Sequence, residues 1–269
     1  MRNTSNNPAL TRIPAFAGPN KTVGFGPRPS STGGTVDPLE AGYFGPTATS
    51  RDTGRLTIED VSVRTAILLA TLVATGGLTW FLNLEALAFP AAIVGLILGL
   101  VISLKQVTNP AAILGYAAVE GVFLGGISKL FENAYNGIVV QAIVGTLGVA
   151  AVMLFLYSSG KIRVTPQFTK MVIGATVGYM ILLLTNLVVG FFHSGGLGLF
   201  NGGALSIGIS AFAIGLASLN LVLDFDFIQK GVQQGLPERY GWLAAFGLVV
   251  TLVWLYIEIL RLLSYLRER

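Results

Sequence analysis

The sequence has no cysteine and only one histidine, His193, among its 269 residues. Without cysteine the chain has no disulfide, no thiolate nucleophile and no metal site built on sulfur. A single histidine cannot supply the histidine clusters that bind metal ions. The sequence therefore predicts no resident cofactor.

Charged residues are also scarce. They make up 11% of the chain, against 53% hydrophobic residues, whereas soluble proteins contain about 25% charged residues. The apolar residues cluster in runs of about 20, which is the length that crosses a hydrocarbon core. Runs such as "AAIVGLILGLVISL" do not alternate as the strands of a membrane barrel do. The sequence predicts an all-α membrane protein, and the net charge of +4 does not suggest nucleic acid binding.

Seven transmembrane helices are expected in one domain, residues 56–269. The predicted spans are about 61–82, 86–104, 110–130, 137–158, 169–192, 203–226 and 241–264. Residues 1–55 are rich in Pro, Gly, Ser, Thr and Asn, which predicts a disordered tail. Thr57 and Asp60 have the spacing of a helix-capping pair and predict a helix start there.

Lysine and arginine set the expected orientation. They concentrate before the first span and in the second, fourth and sixth connections, while the other three connections contain only Lys129. Cytoplasmic segments carry the excess of Lys and Arg, so the N-terminal tail is expected in the cytoplasm. Seven spans place the C-terminus outside, but Arg261, Arg267 and Arg269 favour a re-entrant last segment. We expect seven full spans.

Two glycine pairs have GxxxG spacing, Gly95 with Gly99 and Gly121 with Gly125. Small residues at this spacing let two helix backbones approach closely. We interpret them as packing positions and not as parts of a pore.

Four carboxylates lie inside the predicted spans, where a charge is costly and usually functional. They are Glu120, Asp224, Asp226 and Glu258. Glu120 is either a protonated acid hydrogen-bonded to its surroundings or a titratable group that lines an ion path. Asp224 and Asp226 are about 200° apart around a helix. Asp224 is therefore expected to face the bundle and Asp226 to face water or headgroups.

Glu258 has two interpretations. Arg261 follows it at i+3, a spacing that permits an ion pair within the helix. Alternatively, Glu258 meets an acid from the sixth span. Two adjacent carboxylates cannot both ionise at low cost, and they titrate as a unit. Such a pair is a pH sensor, and in its deprotonated form it can attract Ca²⁺.

Enzyme motifs are missing. The sequence contains no GxSxG, no HExxH and no Walker-type loop. An intramembrane aspartyl protease needs aspartates from two spans, and only the sixth predicted span contains any. The chain is not expected to be an enzyme.

The segment "LDFDFIQKGVQQG", followed by "LVWLYIEILRLL", resembles the C-terminal signature of the Bax inhibitor-1 family, also called the transmembrane BAX inhibitor motif family. Its bacterial members include YccA-like and YetJ-like proteins, and the C-terminal sequence resembles an actinobacterial branch. The resemblance covers roughly residues 60–266. It implies a last helix that lies at the centre, surrounded by the other six. It also implies that Asp224 and Glu258 form the acid pair of the family.

The resemblance further implies a pH-sensitive calcium (cation) leak channel or slow transporter in a bacterial cytoplasmic membrane, with protons and calcium ions as its partners. Lys105 and Arg261 are the candidate counter-charges. The alternative is a non-channel regulator that binds a membrane protease or a stress-response partner. Glu258 is expected about 25 Å along the last helix at 1.5 Å per residue. Asp224 can meet it only if the sixth or seventh helix extends beyond its apolar run, and a separation above about 10 Å would exclude direct pairing.

Overall fold

A computed structural model describes residues 54–193, 196–199 and 201–268. The predicted disordered tail lies outside this range except for Gly54 and Arg55. The described residues form seven long helices and no named strand, which confirms the all-α membrane fold. The helices are α1 Ile58–Phe81, α2 Ala88–Lys105, α3 Pro110–Ala134, α4 Ile138–Ser158, α5 Pro166–Phe192, α6 Ala204–Gln233 and α7 Tyr240–Arg267.

Short polar residues start several of these helices. At α1 the predicted capping pair is confirmed, because the Asp60 amide donates to the Thr57 hydroxyl while Asp60 accepts from the Thr57 amide. Asn109 accepts from the Ala111 amide at the start of α3, and a proline occupies the first turn. Proline is favoured there because its missing amide hydrogen would have no partner in the first turn.

The last helix, α7, is the most buried of the seven, and α5 is the least buried. Helices α1, α3, α4 and α6 pack closely against α7. Encirclement of α7 by all six other helices stays a prediction, since α2 and α5 do not make comparable backbone contact with it.

The glycine pair of α3 packs against α1. Gly121 lies against the backbone at Leu72, and Gly125 lies against the backbone at Gly76. A side chain at either position would collide with that backbone, so the pair serves helix packing as expected.

Large apolar side chains cover the outer surface of the bundle. Phe81, Leu104 and Phe192 are each at least 80% exposed. An exposed apolar surface of this extent is unfavourable in water. Together with seven helices long enough to span a membrane, it identifies a multi-pass membrane protein in a lipid bilayer.

We call the two ends of the bundle the near end, where α1 begins, and the far end, where α7 finishes. At the near end the segment Gly54–Leu56 pairs with the α6–α7 connection. The Leu56 amide donates to the Leu236 carbonyl at 2.8 Å, and the Glu238 amide donates to the Gly54 carbonyl at 2.9 Å. Arg64 binds the carboxylate of Glu238.

At the far end α7 contacts the α3–α4 connection. Arg267 donates to the Asn136 carbonyl at 2.7 Å and to the Gln141 side chain at 2.9 Å. Tyr135 donates to Glu268 at 3.0 Å. Helix α7 therefore runs unbroken from one end to the other, as expected for a seventh full span, and it is not re-entrant.

Candidate functional site

Glu258 lies in a sealed position within α7. It is only 1% exposed. The Tyr179 hydroxyl of α5 donates to Oε1 at 2.8 Å. Arg261 Nη1 lies 3.2 Å from Oε1 and 3.3 Å from Oε2. The ring of Tyr179 stacks on Trp254 with 5.8 Å between centroids, so this carboxylate has both polar partners and an aromatic cover.

Asp224 lies in a more open position on α6. Its Oδ2 is buried and has no hydrogen-bond partner among the described residues. The other face of the carboxyl group is directed to α7. A Cβ placed on Gly247 would lie 3.8 Å from Oδ1, and Thr251 lies beside the carboxyl group. An unpaired buried oxygen costs free energy, so this atom calls for an explanation.

Two cavities border Asp224. The smaller, of about 250 Å³, is lined by Ser103 and Gln106 at the end of α2 and by residues of α6 and α7. The larger, of about 520 Å³, reaches from Asn220 to Gln234 near the end of α6. Each cavity has room for several water molecules. Water or a hydrated cation in either cavity would reach the carboxyl group of Asp224.

The structure does not bring Asp224 and Glu258 together. Asp224 is level with Gly247 and Thr251 on α7, and Glu258 lies seven residues beyond Thr251, about 10 Å along the helix axis. The partners of Glu258 are Tyr179 and Arg261 instead. The expected shared-proton pair is therefore absent from this structure, and the two acids do not form a joint calcium site.

Within the described ranges, no three His, Cys, Asp or Glu side chains are grouped so that they could hold a metal ion. Calcium bound in a fixed protein site takes six to eight oxygen ligands. Any cation that passes Asp224 would therefore keep part of its hydration shell.

Asp226 and Lys230 form an ion pair one helical turn apart, with 2.6 Å between Oδ2 and Nζ. Both line the larger cavity, and the Lys230 side chain is 55% exposed. Lys105 is exposed at the end of α2 and forms no ion pair with Asp224. Of the two candidate counter-charges, only Arg261 contacts one of the predicted acids.

Glu120 is buried between α2 and α3 and borders neither cavity. A Cβ on Gly95 would lie 2.6 Å from its Oε2, and one on Gly99 would lie 3.3 Å from the Tyr116 ring. The glycine pair of α2 thus leaves the space that Glu120 and Tyr116 occupy. This arrangement favours the structural interpretation of Glu120.

Sequence reasoning missed the uncharged polar groups of the site. The Asn220 side chain lines the larger cavity and donates to the Thr176 hydroxyl at 2.8 Å. Tyr179 supplies the hydrogen bond to Glu258. The available signal is the position of Asn220, a polar amide inside an apolar run and one helical turn before Asp224.

One of the comparisons with known proteins found a match. The family model described as Bax inhibitor 1 like matches residues 7–268. The match begins well before residue 60, where the resemblance noted in the sequence starts. No curated protein and no solved structure matches the chain.

Proposed function

The chain belongs to the Bax inhibitor 1 like family, whose members are membrane proteins with proposed ion-channel roles. We propose that it is a pH-sensitive cation leak channel or slow transporter. Calcium is the expected ion. Asp224 is the group that attracts the cation, and Glu258 with Arg261 and Tyr179 keeps the path closed further along the bundle.

The observation that carries this proposal is the buried Oδ2 of Asp224, which lies beside the two cavities and has no hydrogen-bond partner in the described part of the chain. A buried oxygen without a partner is destabilising unless water or an ion reaches it. An ionised carboxylate in a cavity of low dielectric attracts cations much more strongly than one in bulk water. The site is thus suited to contact with a passing cation.

The sign of the pH dependence follows from the charge of Asp224. The protonated acid is neutral and does not attract cations, whereas the carboxylate does. The charged groups that line the same cavity are Asp226 and Lys230, which neutralise each other; the cavity lining from α5 and α7 is uncharged. Cation flux is therefore expected to rise with pH as Asp224 loses its proton.

The distribution of basic residues supports one orientation in the membrane. Among the described residues, the near end carries most of the basic side chains, while Lys129, Arg261 and Arg267 lie toward the far end. The basic residues of the near end are Arg55, Arg64, Lys105, Lys161, Arg163, Lys170, Lys230 and Arg239. The excess predicts that the near end is cytoplasmic. A bacterial cytoplasmic membrane and a non-enzymatic role remain parts of this proposal.

Calcium uptake into liposomes that contain the purified protein tests the proposal. Flux is measured with an entrapped calcium dye between pH 5 and pH 8. We expect a rise with pH in the wild type and a low flux without pH dependence in Asp224→Asn. Tyr256→Phe is a suitable control, because its hydroxyl bonds Ser128 at 2.6 Å on the α3 side of α7, away from both cavities.

Two results would decide against the channel. An unchanged pH dependence in Asp224→Asn would remove Asp224 from the mechanism. No flux above that of empty liposomes, for wild type at any pH, would reject the leak itself. In that case capture of a membrane protease that depends on residues 1–55 would support the regulator alternative.

A further inference from the structure

The interface between α5 and α6 carries polar side chains beyond Asp224. Asn220 precedes Asp224 by one helical turn and lines the larger cavity. Its amide nitrogen donates to the Thr176 hydroxyl at 2.8 Å and to the Leu216 carbonyl at 2.9 Å. The Thr176 hydroxyl donates in turn to the Val172 carbonyl at 2.8 Å. The hydrogen-bonded pair of Asn220 and Thr176 therefore extends the polar lining of the cavity into the bundle.

Tyr179 continues this line. It lies three residues after Thr176, on the same face of α5, and is only 3% exposed. Its hydroxyl donates to Glu258 Oε1, and Arg261 donates to both carboxylate oxygens of Glu258. The Arg261 side chain is 26% exposed, so this row of polar groups reaches the surface of the bundle at Arg261.

The directions of the helices fix the order of these groups. Helices α5 and α7 run from the near end to the far end, and α6 runs back. From the near end the order is thus the larger cavity with Asp224, then Asn220 with Thr176, and then Tyr179 with Glu258. Arg261 follows on the far side.

We propose that Asp224, Asn220, Thr176, Tyr179 and Glu258 form a polar seam through which cations cross the bundle, and that Tyr179 is its closed gate. The inference rests on the proposed function and deepens it. It replaces direct pairing of the two acids with a connection through residues of α5.

The cost of polar groups inside a membrane supports the seam. Such groups are retained where they face a partner or a water-filled path. The neighbouring residues of α5 on its lipid side are apolar and exposed, for example Val177, Ile181 and Leu184. The polar side chains of the seam instead point toward α6 and α7.

Tyr179 is suited to be the gate because it is buried, follows Thr176 on the same face of α5 and contacts Glu258. The ring stacks on Trp254 and lies edge-on to Phe212, with 6.5 Å between the latter centroids. Its hydroxyl donates to Glu258 and also interacts with Arg261. Rotation of Tyr179 would open the seam and leave Glu258 paired with Arg261.

Cysteine accessibility tests the seam, and the natural absence of cysteine means that no background residue needs to be removed. Single variants Asn220→Cys and Thr176→Cys are reacted with a charged, membrane-impermeant thiol reagent from the near side of proteoliposomes. We expect both to react. Ser128→Cys is the matched control, since Ser128 is buried and bonded to Tyr256 away from the seam.

The gate is tested by adding Tyr179→Ala to Thr176→Cys. We expect the thiol introduced by Thr176→Cys to react from the far side only in this double variant. The seam would be overturned if Thr176→Cys reacts no faster than Ser128→Cys from either side. This outcome must hold both with and without Tyr179→Ala. Gel filtration of each variant shows that it is folded before it is labelled.

Calcium flux supplies the second measurement. Tyr179→Ala is expected to raise the flux at least about tenfold, equivalent to about 1.4 kcal/mol in favour of the open state. Tyr179→Phe keeps the ring and is expected to raise the flux about fivefold, because it removes the hydroxyl that donates to Glu258. Tyr256→Phe also loses one hydroxyl from a buried tyrosine and is expected to leave the flux unchanged.

The experiments distinguish a failure of the seam from a failure of the proposed function. If the wild type conducts but Tyr179→Ala and Tyr179→Phe match the wild type, the seam is wrong and the leak stands. If the wild type does not conduct, the leak is wrong. The thiol reactions then still decide whether water enters the seam, because they do not depend on flux.

Discussion

Asp224 and Glu258 carry the same chemical group on two neighbouring helices, yet the structure holds them in different ways. Asp224 lies beside two cavities and has a buried oxygen that no described residue contacts by a hydrogen bond. Glu258 is sealed, and its oxygens bind Tyr179 and Arg261. The comparison teaches that surroundings, and not residue type, divide the roles. The open acid is available to solutes, and the sealed acid holds helices together.

The largest expected loss of stability comes from a substitution at the sealed acid, Glu258. Glu258→Ala leaves the half-buried Arg261 without this carboxylate and Tyr179 without its acceptor. Removal of one partner from a buried ion pair costs about 3–5 kcal/mol. We expect a loss of this size in the free energy of unfolding, measured by denaturant titration in detergent micelles.

Asp224→Ala is the comparison for that measurement. Its carboxyl group has an unpaired oxygen, so its removal is expected to cost less than about 1 kcal/mol. Equal losses in the two variants would contradict the distinction between an open and a sealed acid.

Glu120 extends the comparison to a second enclosed acid. Gly95→Ala places a methyl group 2.6 Å from Glu120 Oε2, which forces a displacement of the side chain. Overpacking of this kind costs about 1–3 kcal/mol. Thermal unfolding of the variant should show the loss, and an unchanged Tm would mean that Glu120 moves aside freely.

Gly247→Ala is the matched change at the open acid. The new methyl group would lie 3.8 Å from Asp224 Oδ1, an ordinary contact distance. Because glycine inside a helix is less favourable than alanine by about 0.5–1 kcal/mol, we expect stability to rise slightly. A lower Tm than the wild type would show that the space beside Asp224 is tighter than the structure indicates.

The smallest expected effect concerns Asp226. Its ion pair with Lys230 is partly exposed and spans one helical turn. Pairs of this kind contribute about 0.3–0.5 kcal/mol, and salt screens them. Asp226→Asn is therefore expected to change the Tm by less than Gly95→Ala does, and the difference from wild type should shrink at high salt.

Much of the fold could be predicted from the sequence, because apolar runs record membrane spans directly. The predicted start of the third span at residue 110 agrees with the start of α3 at Pro110. The predicted end of the sixth span is 226, but α6 continues to Gln233. Asp224, Asp226 and Lys230 end the apolar run but not the helix, so the helix is longer than the apolar run from which the span was predicted.

The site was harder to predict for a physical reason. Hydropathy gives the length of each helix but not the relative depth of side chains on two neighbouring helices. The register of α6 against α7 places Asp224 beside Gly247 rather than beside Glu258. The i+3 spacing of Glu258 and Arg261 could be read directly, because one helix contains both, and the structure has that ion pair. The contact of Tyr179 with Glu258 joins two residues that are 79 positions apart in the sequence and lie on different helices, so no local sequence pattern indicates it.

The position of α7 has a consequence for how the protein is made. Chains are synthesised from the N-terminus, and earlier segments fold first. Helices α1, α3, α4 and α6 therefore enter the membrane before the helix they pack against exists. Until α7 is inserted, the surfaces that will cover it must face lipid or one another. Synthesis thus supplies the most buried helix last, and the N-terminal segment at Leu56 finds its partner at Leu236 only as that final helical hairpin forms.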